Sequence, residues 1–432
     1  ALQREALAEI VELHDRSGDI DYVTCGVGSY FDFYKIMPTV HYPEKLGSGL
    51  ASVLKGVVKN ALVTAEAHIR TPENAETVLS EGHADLVSIV RGQIADPHLA
   101  IKAKEGRPED VRGCLSCNQM CWGRRSRDYW ISCVVNPSAG REFEWGGDRF
   151  AQSKSPKSVL VVGGGVAGLE AARAAAEMGH RVTLAEAGSQ LGGAFRLAGL
   201  QPRRAQILDL IDWYERQLMK LQVEVKLNTY MDAAEIATFG ADEVIMATGS
   251  LPPETGFQKA LAHLEELPGI ANGNVFSAEA VMAREARPGK RVIVLDEAGN
   301  WKGAGTAWKL AEDGHELTIV TPAAMIGSEM QRTAADFPLR RRLAQLGARF
   351  VTESGILEWS GKAAKITSFL DGKEEWIEAD ALILSTTNMA NDAEHHALEE
   401  IGISARLIGD AAAPRPAPYA IHEGRKAALQ IR

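Results

Sequence analysis

The chain has 432 residues, of which 45% are hydrophobic and 24% charged, and its formal net charge is -10 at pH 7. This length is enough for two or three domains, and the composition is typical of a soluble globular protein. The acidic balance argues against a nucleic-acid partner, and no apolar run approaches the ~20 residues of a membrane span. We therefore expect a cytoplasmic protein that binds small molecules or other proteins.

The first hundred residues alternate helix-like stretches with short runs rich in β-branched residues. Three such runs are DYVTCGVG at 21–28, NALVTAEA at 60–67 and ADLVSIVRG at 84–92. This rhythm is typical of βα units in a parallel sheet, whereas a closed (β/α)8 barrel needs about eight units. The sequence therefore predicts part of a barrel, and either the chain begins part-way through it or another chain completes it.

Four of the five cysteines lie close together, with the spacing C-x2-C-x3-C-x11-C. They are Cys114, Cys117, Cys121 and Cys133. Without a secretory signal, such a cluster indicates reduced thiols that bind a metal or do redox chemistry. Three thiolates in a short loop and a fourth beyond it favour a 4Fe-4S cluster. A structural zinc site is the alternative, although its cysteines usually form two separated pairs. The remaining Cys25 is expected to be a small buried residue.

A dinucleotide-binding motif follows a polar linker at 142–158. The glycines of G-x-G-x-x-G are Gly163, Gly165 and Gly168, between an apolar strand and an Ala-rich helix. They permit a tight turn, close approach of a pyrophosphate, and close packing of helix on strand. Glu186, at the end of the next strand, is expected to hold an adenosine ribose, unless it is an ordinary surface glutamate. The other expected contacts to this nucleotide are Gly193, Gly249, Gly409 and Asp410.

A second unit at 290–322 repeats the strand, helix and strand of 157–187 but lacks the glycine pattern. Its turn contains Asp296, Glu297 and Trp301 where glycines would admit a pyrophosphate. The acids repel phosphate and the side chains fill the space, so we expect this unit not to bind NAD(P)H. A rearranged turn that still binds is the alternative.

Together these motifs resemble the iron-sulfur flavoproteins typified by trimethylamine and dimethylamine dehydrogenase, histamine dehydrogenase and 2,4-dienoyl-CoA reductase. The resemblance begins within the later strands of the family's N-terminal, old yellow enzyme-like barrel. It implies an α/β fold in which the end of an FMN-binding (β/α)8 barrel and a 4Fe-4S loop precede two nested Rossmann-like domains. The predicted divisions are 1–110 for the barrel part, 111–157 for the cluster loop and linker, 158–288 with 385–432 for the FAD- or ADP-binding domain, and 289–384 for the degenerate NAD(P)-type domain.

The resemblance also implies roles for individual residues of the barrel part. By position, Ala67, His68 and Arg91 would bind the FMN phosphate. Trp122 or Trp130 would contribute to an aromatic cage for a substrate ammonium, although ordinary packing explains either residue equally well. Ser29 stands where trimethylamine dehydrogenase has an active-site aspartate, which argues against trimethylamine itself as the substrate.

The predicted function is oxidation of a small N-methylated amine at FMN, with electrons passing through the 4Fe-4S cluster to an electron-transferring flavoprotein. One alternative is an NAD(P)H-dependent 2,4-dienoyl-CoA or enoate reductase, which the C-x3-C step resembles more closely. Another is an electron-transfer subunit that a second chain completes. The resemblance further implies a homo-oligomer. No catalytic acid or base is assigned.

Overall fold

A computed structural model describes residues 3–125, 127–147 and 149–431. The chain divides into two compact units. Unit 1 contains Ala1–Asp148 and Arg332–Ala335, and unit 2 contains Arg149–Gln331 and Asp336–Arg432. The cysteine loop thus belongs to the same unit as the predicted barrel part. No helix in the described part of the chain is both long enough and apolar enough to cross a bilayer.

Unit 1 has three short parallel strands with helices between them. The strands, which pair in the order β1-β2-β3, are β1 (Tyr22–Cys25), β2 (Leu62–Ala65) and β3 (Leu86–Val87). The helices are α1 (Arg4–Ser17), α2 (Phe33–Ile36), α3 (Ser48–Lys55), α4 (Pro72–Ser80), α5 (Arg91–Ala95), α6 (Leu99–Lys104), α7 (Trp122–Arg125) and α8 (Glu142–Trp145).

The three strands coincide with the three β-branched runs of the sequence. Val63 of β2 is fully buried and packs in one core with Leu54 of α3. Asp15 of α1 accepts hydrogen bonds from the backbone N–H groups of residues 59, 60 and 61, which fixes the start of β2. Cys25 is buried at the end of β1, and its thiol donates to the Thr64 carbonyl at 3.2 Å, so the structural reading of this cysteine is confirmed.

Unit 2 carries the rest of the regular structure. Its strands are β4 (Ser158–Val162), β5 (Arg181–Ala185), β6 (Glu224–Lys226), β7 (Glu243–Met246), β8 (Ser250–Leu251), β9 (Val275–Ser277), β10 (Arg291–Asp296), β11 (Glu316–Val320), β12 (Arg349–Val351), β13 (Ser354–Trp359), β14 (Ala363–Ser368), β15 (Glu374–Glu378), β16 (Ala381–Ser385), β17 (Met389–Ala390) and β18 (Arg406–Leu407). Its helices are α9 (Val166–Glu177), α10 (Gly193–Gly199), α11 (Gln206–Lys220), α12 (Ala233–Phe239), α13 (Ala278–Met282), α14 (Trp301–Glu312), α15 (Asp336–Gln345), α16 (Ala393–Glu400) and α17 (Ala417–Leu429).

Two parallel five-stranded sheets organise unit 2. One has the order β18-β7-β4-β5-β6 and the other the order β12-β11-β10-β16-β9. Each contains a strand–helix–strand repeat, β4-α9-β5 in the first and β10-α14-β11 in the second. An antiparallel sheet, β13-β14-β15, is inserted before β16. The predicted α/β architecture with two nested Rossmann-like folds is confirmed.

A buried charge cluster joins the helices around the first sheet. Glu170 of α9 and Arg425 of α17 are both fully buried, and their Oε1 and Nε atoms lie 2.6 Å apart. Glu170 also pairs with Arg173 at 3.0 Å and accepts a 3.0 Å bond from the Tyr214 hydroxyl of α11. The Arg425 guanidinium lies 4.7 Å from the Phe150 ring centroid. One carboxylate therefore connects three helices, and its loss would remove a charged partner of the fully buried Arg425.

We expect Glu170→Gln to destabilise the protein by about 3–5 kcal/mol, because the neutral amide cannot balance the charge of the fully buried Arg425 guanidinium. Arg173 keeps its second partner, Glu177, at 2.7 Å. The matched control is Glu375→Gln, whose carboxylate pairs with Arg349 at 2.9 Å with side chains 54% and 52% exposed. That change should cost less than about 1 kcal/mol. Urea unfolding measures both variants, and equal midpoints for the two would contradict the assignment.

Candidate functional site

The turn between β4 and α9 has backbone geometry that only glycine satisfies. Gly163 has φ of 107°, and a Cβ there would lie 2.3 Å from the Ala247 oxygen. A Cβ on Gly168 would lie 1.9 Å from the Gly163 oxygen. A Cβ on Gly165, the N-cap of α9, would meet nothing within 4 Å. Gly163 and Gly168 are therefore tightly packed against the chain, whereas Gly165 faces open space. This space lies at the N-terminus of α9, which attracts phosphate.

Glu186 fixes the shape of this glycine turn. Its Oε2 accepts from Gly164 N at 2.7 Å, and its Oε1 accepts from Gly188 N at 2.6 Å. Gly193 also lies at the turn, since its Cβ position is 3.3 Å from Gly165 Cα. The structure thus brings both residues to the predicted nucleotide site. Contact of Glu186 with a ribose stays a prediction.

The remaining predicted nucleotide contacts lie in the loops after β7 and β18. Gly249 has φ of 80° and faces open space. The next residue, Ser250, donates its hydroxyl to Asp410 Oδ2 at 3.2 Å. Gly409 N donates to Glu423 Oε2 of α17 at 2.8 Å. The Ser250–Asp410 bond connects the two loops on neighbouring strands, and the Gly409 bond attaches the second loop to α17.

The corresponding turn between β10 and α14 is filled by its own side chains. Asp296 is fully buried and accepts from Gly299 N at 3.1 Å, and burial raises the pKa of its carboxyl to about 7. A Cβ on Gly303 would lie 2.3 Å from Asp296 Oδ1. Asn300 is the N-cap of α14, and its side chain accepts from Lys302 N at 2.8 Å. Side chains of the turn therefore fill the space in which a pyrophosphate would lie. They also accept hydrogen bonds from the backbone N–H groups that would bind it.

The charges at the start of α14 are also satisfied within the chain. The Lys302 ammonium pairs with Glu279 at 2.8 Å and donates to Asn388 Oδ1 at 2.5 Å. The Trp301 ring is covered by the Arg204 guanidinium, whose central carbon is 4.5 Å from the ring centroid. This second turn thus presents neither bare backbone nor an unpaired lysine to a phosphate.

In unit 1, all four clustered cysteines line a single pocket of about 20 Å³. The other lining residues are Arg91, Ile94, Leu115, Asn118, Met120, Val134 and Val135. Among residues 3–125, 127–147 and 149–431, no group of three or more His, Cys, Asp or Glu side chains is arranged to hold a metal ion. The four predicted ligands thus line one pocket without being arranged as a metal site, and the cluster itself stays a prediction.

Backbone N–H groups point at the sulfur atoms of this pocket. Ser116 N donates to Cys114 Sγ at 3.4 Å. The backbone groups of Gln119, Trp122, and Val135 and Asn136 lie close enough to Cys117, Cys121 and Cys133, respectively, to lower the pKa of these thiols. Burial, followed by the neighbouring thiolates, raises the pKa of Cys117, Cys121 and Cys133, the last to about 12. Four thiols with an apolar lining and N–H donors match the ligand shell of a 4Fe-4S cluster, whose iron supplies the missing positive charge.

The residues predicted to bind the FMN phosphate lie beside this cysteine loop. Ala67 and His68 follow β2 with φ of 72° and 62°, and Arg91 begins α5 after β3. His68 is buried, and burial, followed by the charge of Arg91, lowers its pKa to about 4. Its ring contacts Ser116, and Arg91 contacts Asn118. Binding of phosphate by these three residues stays a prediction.

The aromatic residues considered for a substrate cage have different surroundings. The Trp122 ring packs against Phe33, with centroids 5.4 Å apart. Trp130 is 72% exposed, and Tyr30, near the predicted Ser29 position, is 91% exposed. Trp122 thus has a packing partner, and a role for any of these residues in substrate binding stays a prediction.

Sequence reasoning did not identify the residues that anchor the two sites. Ser116 and Asn118 lie inside the cysteine motif, and Asn388 and Ser250 lie in loops of unit 2. The only signal in the sequence was the presence of polar residues within the cysteine motif and the two loops. The partners of these residues are distant in sequence, so no local pattern could reveal them.

Two families match separate parts of the chain. Residues 16–110 match the NADH:flavin oxidoreductase / NADH oxidase family. Residues 146–236 match the pyridine nucleotide-disulphide oxidoreductase family. The cysteine loop falls between the two matched segments. The matches therefore place a flavin barrel segment before it and a dinucleotide fold after it.

Relatives combine both segments in one chain. An NADH oxidase of Thermoanaerobacter brockii is 35% identical over 405 residues, which are 92% of this chain and 60% of that protein. The N,N-dimethylglycine/sarcosine dehydrogenase of Chromohalobacter salexigens is 33% identical over 339 residues, 76% of this chain and 47% of that protein. This chain thus spans roughly half to three-fifths of the relatives' length.

A solved structure shows the same fold throughout. Histamine dehydrogenase from Rhizobium sp. 4-9 is 26% identical and superimposes with a TM-score of 0.90, over 99% of this chain and 63% of that one. Both family matches, the relatives and this structure agree with the resemblance seen in the motifs. The chain therefore belongs to the family of flavin-dependent oxidoreductases that includes amine dehydrogenases and NADH oxidases.

Proposed function

We propose that the complete protein oxidises a small N-methylated amine and passes the electrons to an electron-transferring flavoprotein. Ala67, His68 and Arg91 would hold FMN, which would supply the two-electron oxidant that converts the amine to an iminium ion. Addition of water to the iminium releases formaldehyde and the demethylated amine. Cys114, Cys117, Cys121 and Cys133 would hold a 4Fe-4S cluster, which would supply one-electron transfer toward the acceptor protein. FAD or ADP would occupy the glycine turn after β4.

The occupied turn after β10 is the observation that carries this direction of electron flow. A nicotinamide donor would need the N–H groups that Asn300 caps, and its pyrophosphate would meet the buried carboxyl of Asp296. Lys302, the nearest cation, already pairs with Glu279. We infer that this turn does not bind NAD(P)H, so the reducing equivalents would come from the substrate. Two of the similar proteins described above are named as dehydrogenases of amines. One is named for dimethylglycine and sarcosine, and the other for histamine.

The arrangement of unit 1 supports the electron path. Ala67 and His68 follow β2 and Arg91 follows β3, at the carboxyl ends of parallel strands where barrel enzymes bind their ligands. Arg91 also lines the pocket of the four cysteines. A flavin phosphate at these strand ends would therefore lie beside the cluster ligands. Such proximity suits transfer of single electrons from one cofactor to the other.

A second candidate is an NAD(P)H-dependent reductase of enoates or enoyl thioesters. The NADH oxidase of Thermoanaerobacter brockii, at 35% identity, favours it, since its name implies a nicotinamide donor. Electrons would then run from unit 2 through the cluster to the barrel.

Anaerobic visible spectra separate the two candidates. We expect N-methylated amines to bleach the flavin absorbance of the complete natural protein, and NADPH or NADH to leave it unchanged. Formaldehyde should appear in proportion to the flavin reduced. Bleaching by a nicotinamide but by no amine would contradict the proposal and support the reductase.

The cysteine assignment predicts that metal content depends on four of the five cysteines. We expect protein purified without oxygen to hold about four iron atoms and as many labile sulfides per chain. Cys117→Ser should lose most of both, whereas Cys25→Ser should retain them, because Cys25 lies buried in the barrel core. Iron and sulfide assays test this, and one zinc ion per wild-type chain would contradict it.

The open face of Gly165 predicts a selective loss of the adenine nucleotide. Its φ of -70° suits alanine, and an added Cβ meets only the space where a pyrophosphate would lie. Gly165→Ala should therefore fold normally but bind FAD or ADP at least about tenfold more weakly, a loss of ~1.4 kcal/mol. Gly49→Ala in α3, where a Cβ also meets nothing within 4 Å, is the control. Calorimetric titration with ADP and FAD measures both, and unchanged binding by Gly165→Ala would place the nucleotide elsewhere.

A further inference from the structure

The two residues that flank Cys117 have an unusual backbone. Ser116 has φ of 52° and Asn118 has φ of 55°. A non-glycine residue in this left-handed region has an unfavourable backbone energy and persists only when its surroundings hold it there. Both residues are 1% exposed. The position of Cys117 therefore depends on two buried neighbours with left-handed backbone. Contacts from outside the loop are needed to hold these neighbours in that conformation.

His68 is the partner of Ser116. Its Nδ1 lies 2.9 Å from the Pro43 carbonyl, and its Nε2 lies 2.7 Å from Ser116 Oγ. Because a carbonyl only accepts, Nδ1 carries the proton and Nε2 accepts from the serine hydroxyl. The ring is thus fixed at one nitrogen and holds Ser116 with the other.

Arg91 is the partner of Asn118. Its Nη1 donates to Asn118 Oδ1 at 2.6 Å and to the Pro38 carbonyl at 2.8 Å. The Asn118 amide nitrogen donates to the carbonyls of Met37 at 2.9 Å and Thr333 at 3.1 Å. The asparagine side chain therefore uses its acceptor and both of its donors, which fixes its orientation.

These anchors determine where two N–H groups of the loop point. Ser116 N donates to Cys114 Sγ, and the backbone N–H of Gln119, which directly follows Asn118, lies beside Cys117 Sγ. The orientation of each N–H depends on the backbone angles of residues 116 and 118. Hydrogen bonds to ligand sulfurs stabilise the extra negative charge of a reduced cluster and so raise its reduction potential.

We propose that the pairs His68–Ser116 and Arg91–Asn118 position the cysteine loop and set the reduction potential of the cluster. This proposal rests on the proposed function, in which the four cysteines hold a 4Fe-4S cluster. His68 follows β2 and Arg91 follows β3, so the strand ends that would face the flavin phosphate also hold Cys117 in place. The same two side chains thereby link the flavin side of unit 1 to the cluster ligands.

The test compares Ser116→Ala and Asn118→Gly with wild type. Ser116→Ala removes only the hydroxyl that bonds to His68. Asn118→Gly removes the side chain that bonds to Arg91, and glycine adopts positive and negative φ about equally, so residue 118 is no longer held at its φ of 55°. The control is Ser132→Ala, which removes a buried hydroxyl beside Cys133 and alters neither pair. The readouts are iron and sulfide content and the midpoint potential of the cluster, from EPR signals at fixed potentials.

We expect a more negative midpoint in both variants, because misdirected N–H groups stabilise the reduced cluster less. A tenfold change in the reduction equilibrium constant corresponds to a shift of about 59 mV for a one-electron couple. Ser132→Ala should match wild type. Unchanged midpoints in both variants, or an equal shift in Ser132→Ala, would overturn this proposal. Wild-type protein without a 4Fe-4S signal would instead overturn the proposed function.

Discussion

The gathering of four thiols in one pocket is the constraint on which the account of unit 1 depends. Burial and mutual repulsion oppose ionisation of these sulfurs, so a bound cationic group is needed to stabilise them as thiolates. The surrounding chain is arranged accordingly, since N–H groups point at the sulfurs and the pocket lining is mostly apolar. Two left-handed residues, Ser116 and Asn118, hold the loop at a cost in backbone strain that side chains from the strand ends offset.

Unit 2 uses one strand–turn–helix design twice, with opposite results. Gly165 leaves the first turn open to a ligand, whereas Asn300 at the same helix position caps the second with its own side chain. Gly303 keeps close packing of helix on strand, but the side chain it meets is the buried Asp296. The fold is therefore retained in both halves, while the space for a pyrophosphate is retained in only one. This difference gives the proposed direction of electron flow its physical basis.

Local patterns predicted the elements and the motif positions well. β-Branched runs marked β1, β2 and β3, and the glycine spacing marked the turn before α9, because these features depend on residues adjacent in sequence. The spacing of the cysteines predicted their convergence on one pocket. Long-range contacts were not predictable in this way. On residue pattern alone His68 is a surface residue, yet it is buried against Ser116, 48 positions away. Asp296 was expected to repel phosphate, but its bond to Gly299 inside the turn was not foreseen.

The most direct test of the central claim is a crystal structure of the complete natural protein, prepared without oxygen, with anomalous data collected on either side of the iron absorption edge. The account predicts an iron-dependent density peak bounded by Cys114, Cys117, Cys121 and Cys133, with Ser116 and Asn118 held by His68 and Arg91. A peak that appears only at the zinc edge, or iron bound elsewhere in the chain, would contradict a role for these cysteines in electron transfer.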